Sequence, residues 1–479
     1  MELQNGTQGE NQHVIQINQD HLTSMEEKIL AMPKILSTSA GKSSCFIFRV
    51  PQSKVQLDRH AYYPSLVSIG PYHLGEKQLA MIQEHKWRFL GSLLSRTRNK
   101  GLVLEDYLKA IKEIENRARD SYSEIIDLNS DEFAAMMVLD GCFIIEFFRY
   151  TCEIVKTEAN DPLFAMSWVM PFVLRDFIKL ENQIPFFVLQ TLFSLSEFPE
   201  QENRASYLES LASSLVKLAM ESFGIVANIP AENIEQFDNV NGKHLLGLVR
   251  SRFIPNTTQS KIPPKHRARS LIRSRFIPNT QTEKSTKPNL PPEMIHCVSK
   301  LRRAGIRFKV DEDQNRSFLD IKYHRGVIEM PKVTIDDFTS CLFLNCVAFE
   351  QSYTHCSKHF TTYASLMDCL MNTYSDVEFL CDERIIENYL GTDGEVSKFF
   401  NNLGRDVGID INKFYLAGLF DEVNRYYRND FHVQWAELRY TYFRTPWSFL
   451  SALAAVILLI LTVAQTFYTV YQYHRPPKQ

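Results

Sequence analysis

WSFLSALAAVILLILTVAQTFY, residues 447–468, decides the class of this chain. No Asp, Glu, Lys or Arg occurs from Thr445 to Tyr473, and Phe449 to Val463 is almost wholly apolar. The 22 residues of the stretch rise about 33 Å as a helix, enough to cross a hydrocarbon core of about 30 Å. Trp447 stands at one edge and Phe467, Tyr468, Tyr471 and Tyr473 at the other, as interfacial aromatic belts do. Arg444 and Arg475 bracket the stretch with charges that can reach the headgroups. A buried core helix rarely runs so long without a charge. The reading is one transmembrane helix, Trp447 to Tyr468, with a short tail over 469–479.

Working back toward the N-terminus, MELQNGTQGENQH lacks the charged-then-apolar pattern of a secretory signal. A span this late in the chain inserts after nearly everything else is made. The expectation is therefore a single-pass membrane protein, its body in the cytosol and its tail translocated, with the plasma membrane as the expected address. Nine cysteines, an odd number without a C-x-x-C pair, agree with a reducing compartment. The 479 residues are 44% hydrophobic and 23% charged, which excludes collagen-like, coiled-coil and wholly disordered classes. A net charge of −3 argues against a nucleic-acid partner.

Residues 1–44 read as a polar, disordered leader. A helical body follows over 45–245. Leu79, Ile82, Phe89, Leu90 and Leu93 keep helical spacing, as do Leu104, Tyr107, Leu108, Ile111 and Ile114. Ser130 is placed to cap a helix running to Phe147, and further helices are expected over Val173–Leu180 and Tyr207–Phe223.

Composition changes near residue 243. Between Lys243 and Lys287 there are eleven Lys or Arg against one acid, Glu283. LVRSRFIPNT at 248–257 recurs as LIRSRFIPNT at 271–280, an offset of 23. Seven prolines between Pro255 and Pro292 make the segment a poor helix or central strand. Residues 246–294 therefore read as a duplicated, disordered basic linker. It is either solvated, balancing an acidic body, or laid on anionic lipid headgroups.

Over 295–440 the second half of the body begins with a period of two. Ile306, Phe308 and Val310 alternate with Arg307 and Lys309; Leu319, Ile321 and Tyr323 alternate with Asp320 and Lys322; His324-Arg325-Gly326 marks a hairpin turn. Helices are expected again over Asp336–Phe349, Phe360–Tyr374, Asp376–Glu387 and Glu395–Leu403. The fold class is mainly α: a large helical body, a small antiparallel β-sheet near 305–330, and a C-terminal transmembrane helix.

Familiar catalytic signatures are incomplete. Gly41-Lys42-Ser43 ends like a phosphate-binding loop, but Leu36 stands where the first glycine belongs. Cys341, Cys346, His355, Cys356 and His359 match no paired zinc-ligand spacing. No G-x-S-x-G, H-E-x-x-H or G-x-G-x-x-G is present. No catalytic, metal or cofactor residue is assigned, and no cofactor is expected. The one block of possible functional interest is Ser68, Gly70, Pro71, Tyr72 and His73, with Glu84 and His85 in the next helix. Ser, His and Glu this close could form an acid–base set. The competing reading is a tight turn whose side chains satisfy the backbone.

Ile47-Phe48-Arg49-Val50-Pro51, Ala61-Tyr62-Tyr63-Pro64, Ser68-Ile69-Gly70-Pro71-Tyr72-His73, Asp140-Gly141-Cys142 and Leu180-Glu181-Asn182-Gln183-Ile184-Pro185 occur in this order. Phe318-Leu319-Asp320-Ile321, Asn345-Cys346-Val347-Ala348-Phe349-Glu350-Gln351 and Tyr442-Phe443-Arg444-Thr445-Pro446-Trp447 follow. The series resembles the plant family catalogued as domain of unknown function 247, over about Cys45 to Tyr473. Two departures stand out: Leu74 replaces a second His usual in the family, and the linker duplication is particular to this chain. The resemblance implies a helical body with a C-terminal membrane anchor and no established enzymatic activity. It also implies a link to recognition in pollen self-incompatibility, and it carries over no catalytic residues. The expected function is a membrane-tethered recognition or signalling protein that binds an unknown protein partner. The alternative is a membrane-attached hydrolase or transferase using Ser68, His73 and Glu84.

Overall fold

The computed structural model describes residues 18–31, 44–156, 161–196, 214–227, 243–255, 293–313, 315–405, 407–408, 413–429 and 446–474. The first half of the body is built around one helix, Ser130–Thr151, in which every residue from Met136 to Arg149 is buried. Its cap is Asn129 rather than Ser130. Asn129 Oδ1 accepts the Glu132 N–H at 2.9 Å, and Glu132 Oε2 accepts the Asn129 N–H at 3.2 Å. Helices Ala80–Thr97, Leu104–Glu113, Phe186–Leu195 and Leu215–Gly224 pack around it. Phe143 and Phe147 meet Phe177 edge-on at 6.2 and 5.5 Å, and Phe89 stacks on Phe143 at 5.3 Å.

The second half has its own central helix, Asp337–Ser352, capped by Asp336, whose Oδ1 accepts the Thr339 N–H at 2.8 Å. It packs on His359–Leu370 and also on Arg59–Tyr62, Val169–Asp176 and Leu245–Phe253 from the first half. Asn345 fastens that seam. Its Oδ1 accepts the Leu180 N–H and its Nδ2 donates to Ala61 O, both at 2.8 Å. One continuous hydrophobic core spans both halves.

The expected hairpin is present. β2 (Lys322–His324) and β3 (Val327–Pro331) pair antiparallel across Arg325-Gly326, both with positive φ, as a two-residue hairpin turn of the primed type needs. The third strand corrects the wholly antiparallel expectation. β1 (Arg307–Asp311) lies on the far side of β3 and runs parallel to it, so the sheet is mixed, in the order β1-β3-β2. The segment between β1 and β2 is long enough to carry the chain past β3, and Phe308 and Ile328 stay in register on the buried face. A second, two-stranded parallel sheet pairs β4 (Val333–Ile335) with β5 (Ile386–Asn388). The helix read over Asp376–Glu387 is instead Tyr374–Asp382. The chain turns at Arg384, φ 59°, so that Ile385 reaches the core and Ile386 enters it as the first residue of β5.

Two further boundaries move. The leader contains a helix, Gln19–Ala31, capped by Asn18, with Leu22, Met25 and Ile29 at helical spacing that polar composition concealed. The body runs past residue 246, the expected start of the basic linker. Leu245–Phe253 is a helix whose Leu245, Leu246, Leu248, Val249, Arg250, Arg252 and Phe253 are buried. The second repeat, 271–280, lies outside the described residues, as do Tyr207 to Ser213 of the expected 207–223 helix and Gly41-Lys42-Ser43. At the C-terminus Pro446–His474 is helical, and its segment Leu450–Tyr471 is long and apolar enough to cross a membrane, with mean hydropathy 2.3 and no burial.

Candidate functional site

The block from Ser68 to His73 sits against the turn Leu180-Glu181-Asn182-Gln183, more than a hundred residues later. The Ile69 N–H donates to Asn182 Oδ1 at 2.7 Å, and Asn182 Nδ2 returns to Val67 O at 3.0 Å. The Gly70 N–H donates to Asp140 Oδ2 at 2.8 Å. Gly70 has φ +74°, and a Cβ there would stand 2.6 Å from Gln183 O, so both backbone and space require glycine. Tyr122 Oη donates to the same Gln183 carbonyl at 3.0 Å and meets Tyr72 edge-on at 5.5 Å.

Lys86, not Glu84, is the helix residue that faces the block. Its ammonium donates to Ser68 O and, at 2.5 Å, to Asp140 Oδ1. Both side chains are almost fully buried. Burial pushes the Asp140 carboxyl up, against the pull of Lys86 and of the Gly70 N–H. Removing either partner of such a pair leaves an uncompensated buried charge, at about 3–5 kcal/mol. Glu84 is exposed on the outer side of Ala80–Thr97, and His85 Nδ1 bonds Arg88 at 3.1 Å. Burial and the Arg88 charge lower the His85 pKa.

His73 is 1% exposed while the neighbouring Leu74 is 40% exposed, so only the first of these positions can act inside the fold. The His73 imidazole lies between two carboxylates, Nδ1 2.8 Å from Glu76 Oε1 and Nε2 3.4 Å from Glu181 Oε2. Glu181 also accepts the Val50 N–H at 2.7 Å and Arg49 Nη1 at 3.0 Å. Burial raises the Glu181 carboxyl, but the bonds from His73, Val50 and Arg49 outweigh it and hold the group below the usual range. Arg49 in turn lies 4.3 Å over the Tyr72 ring. The Ser68 hydroxyl is buried and bonds neither His73 nor any other described group. The structure brings His73 to Glu181, sets Tyr72 under Arg49, and brings Gly70 to Asp140. It does not join Ser68, His73 and Glu84 as nucleophile, base and orienter.

The residues that organise the block, Lys86, Asp140 and Glu181, were not legible as such. Asp140 and Glu181 sit in apolar surroundings where a lone carboxylate needs a partner, which is the signal that points to them. The Cys/His group disperses. Cys341 Sγ faces Ala61 O at 3.4 Å, and burial lifts its thiol to about 12. His359 stacks on Tyr415 at 4.5 Å, and burial lowers it to about 4. Among the described residues no three His, Cys, Asp or Glu are grouped to hold a metal ion.

A cavity of about 880 Å³ opens elsewhere, between the end of β1 and the β4–β5 pair, walled by Val310, Lys332, Val333, Thr334 and Ile386 among others. Arg316 pairs with Asp311 at 2.5 Å and Lys332 pairs with Glu387 on its wall.

A plant family of proteins of unknown function, domain of unknown function 247, matches residues 47–461. The chain belongs to this family. The UPF0481 protein At3g47200 of Arabidopsis thaliana is 37% identical over 443 residues, covering 92% of this chain and 89% of its own length. The UPF0481 protein At3g02645, also from Arabidopsis thaliana, is 25% identical over 491 residues, covering 89% and 90%. No solved structure matches the chain. The stretch matched to the family begins at Ile47, which bridges to Tyr122, and ends within the apolar C-terminal helix. In this family member it takes in the interlocked Ser68–His73 and Leu180–Gln183 turns as well as the cavity wall.

Proposed function

We propose that the protein is a membrane-tethered recognition or signalling protein, a single-pass chain with its body in the cytosol, at the plasma membrane, acting by binding another protein. The observation that carries the reading is the Leu450–Tyr471 segment, uncharged, of mean hydropathy 2.3 and unburied, which water would solvate poorly. The state of the Ser68–His73 block supports binding over catalysis. Its glycine and imidazole lie against the Leu180–Gln183 turn, and the neighbouring lysine ties the block to Asp140. A tethered body meets partners of the same membrane at raised effective concentration, so modest affinity suffices.

Proximity labelling from the native membrane tests this, comparing the intact chain with one truncated before Trp447. A small partner set that depends on the anchor is the expected result. A C-terminal tag should be protected from protease in sealed microsomes; a digested tag with a protected body reverses the orientation. Should no specific neighbours appear while His73→Ala abolishes a phenotype in a folded protein, the enzyme reading replaces this one.

A further inference from the structure

We propose that the cavity between β1 and the β4–β5 pair is a docking groove for an extended, basic peptide segment of a partner protein. The inference rests on the recognition reading and names the surface through which recognition would act. The cavity, about 880 Å³, lies within the range of about 300–1,000 Å³ typical of ligand sites. Its wall includes three consecutive residues, Lys332, Val333 and Thr334. Successive strand residues point to opposite faces, so a wall that holds all three meets the strand along its edge.

The edge is open. The Val333 N–H donates to Ile385 O and the Tyr389 N–H to Ile335 O, each at 2.9 Å, so these groups of β4 face β5. By strand alternation the Thr334 N–H and C=O face the opposite edge. β1 does not cover that edge, because its pairing stops at Asp311, opposite Pro331. An added strand can take up backbone groups of this kind.

Charge selects the occupant. Arg316 and Lys332 are paired with Asp311 and Glu387. Asp336 is engaged at the cap of Asp337–Ser352, which leaves Glu312 and Asp313 against Arg384 as wall charges without an ion pair or cap among the described residues. A peptide bearing Arg or Lys complements this excess through charge-assisted hydrogen bonds to Glu312 and Asp313.

The test uses the full chain in detergent micelles and three fluorescein-labelled heptapeptides: RTVRVTR, its acidic counterpart ETVEVTE, and RTVRVTR with N-methylated Val and Thr nitrogens. RTVRVTR should bind at least about tenfold more tightly than either counterpart, a margin of one well-placed interaction. Glu312→Lys with Asp313→Lys should weaken RTVRVTR by at least about tenfold. The N-methylated arm leaves the protein unaltered, so a misfolded variant cannot mimic that result. Equal binding of the N-methylated peptide, unchanged binding to the doubly substituted chain, or no binding by any peptide at millimolar concentration overturns the groove. Binding that emerges only after residues 256–292 are replaced by Gly and Ser overturns the external partner, because the chain's own basic segment is then the occupant. Anchor-dependent neighbours that persist in the doubly substituted chain overturn the groove while leaving the recognition reading intact. Loss of those neighbours in the same chain supports both.

Discussion

Arg250 Nε donates to Glu350 Oε1 at 2.8 Å, joining residues one hundred positions apart inside the core. Glu350 also accepts the Phe360 N–H at 3.2 Å and the Thr361 N–H at 2.8 Å, while Arg250 Nη2 reaches Ser357 Oγ at 3.0 Å. A basic residue of the first repeat is therefore a fastener between the two halves. Among the described residues of the supposed linker, Arg250 makes its ion pair inside the body.

Arg250→Met should destabilise the full chain in detergent by about 3–5 kcal/mol, because the buried Glu350 would lose its counter-charge. Arg250→Met with Glu350→Leu should recover much of that loss. Chemical denaturation followed by far-UV circular dichroism measures both. A single substitution costing under about 1 kcal/mol would show that water compensates Glu350.

Gly70→Ala should cost about 2–4 kcal/mol, since the new Cβ meets Gln183 O at 2.6 Å and the backbone holds φ +74°. The same denaturation measurement checks it, with Gly101→Ala as the comparison. Gly101 shares the positive φ of 74° but has open space around its Cβ, so it should lose only the conformational part.

Deleting residues 256–278, one repeat period, should leave the melting temperature unchanged within about 2 °C. The cut joins Pro255 to Asn279 and restores the sequence Ile-Pro-Asn-Thr after Phe253. Shortening a loop changes closure entropy by only a few tenths of a kcal/mol. A large fall would mean that the deleted residues pack on the body.

Two buried imidazoles predict an acid-sensitive fold. Burial, with some repulsion from Arg250, holds His244 near 3 and His359 near 4, against an ordinary value of 6.5. Such a group binds its proton more readily in the unfolded chain. Its contribution is fully present above about pH 7 and is lost as pH falls from 6.5 through the folded value. His359→Phe keeps the stack on Tyr415 and removes the titration. The loss of stability between about pH 7 and pH 5 should shrink by roughly 2 kcal/mol.

Leu458→Lys with Leu459→Lys places two charges in the middle of Leu450–Tyr471, at about 2.5–3.5 kcal/mol each on insertion scales. The protein should move from the carbonate-resistant to the extractable fraction. Retention would mean that the body, not this helix, holds the membrane.

Patterns carried by consecutive residues were legible without any tertiary contact. The uncharged run from Thr445 to Tyr473 specified a long apolar helix, and alternation around Arg325-Gly326 specified the β2–β3 hairpin. The three-four spacing of Leu79 to Leu93 specified Ala80–Thr97. These are local effects, set by side-chain periodicity and the φ values a turn allows. Choices between elements were left to the tertiary structure. β1 took the far side of β3, Ile386 became strand instead of helix, and Leu245–Phe253 entered the core despite its basic residues, because Glu350 waits there to pair with Arg250. The Ser68–His73 block was visible as a block, but only long-range packing set Lys86 on Asp140 and His73 beside Glu181, since a buried charge is tolerated only where the fold brings its counter-charge.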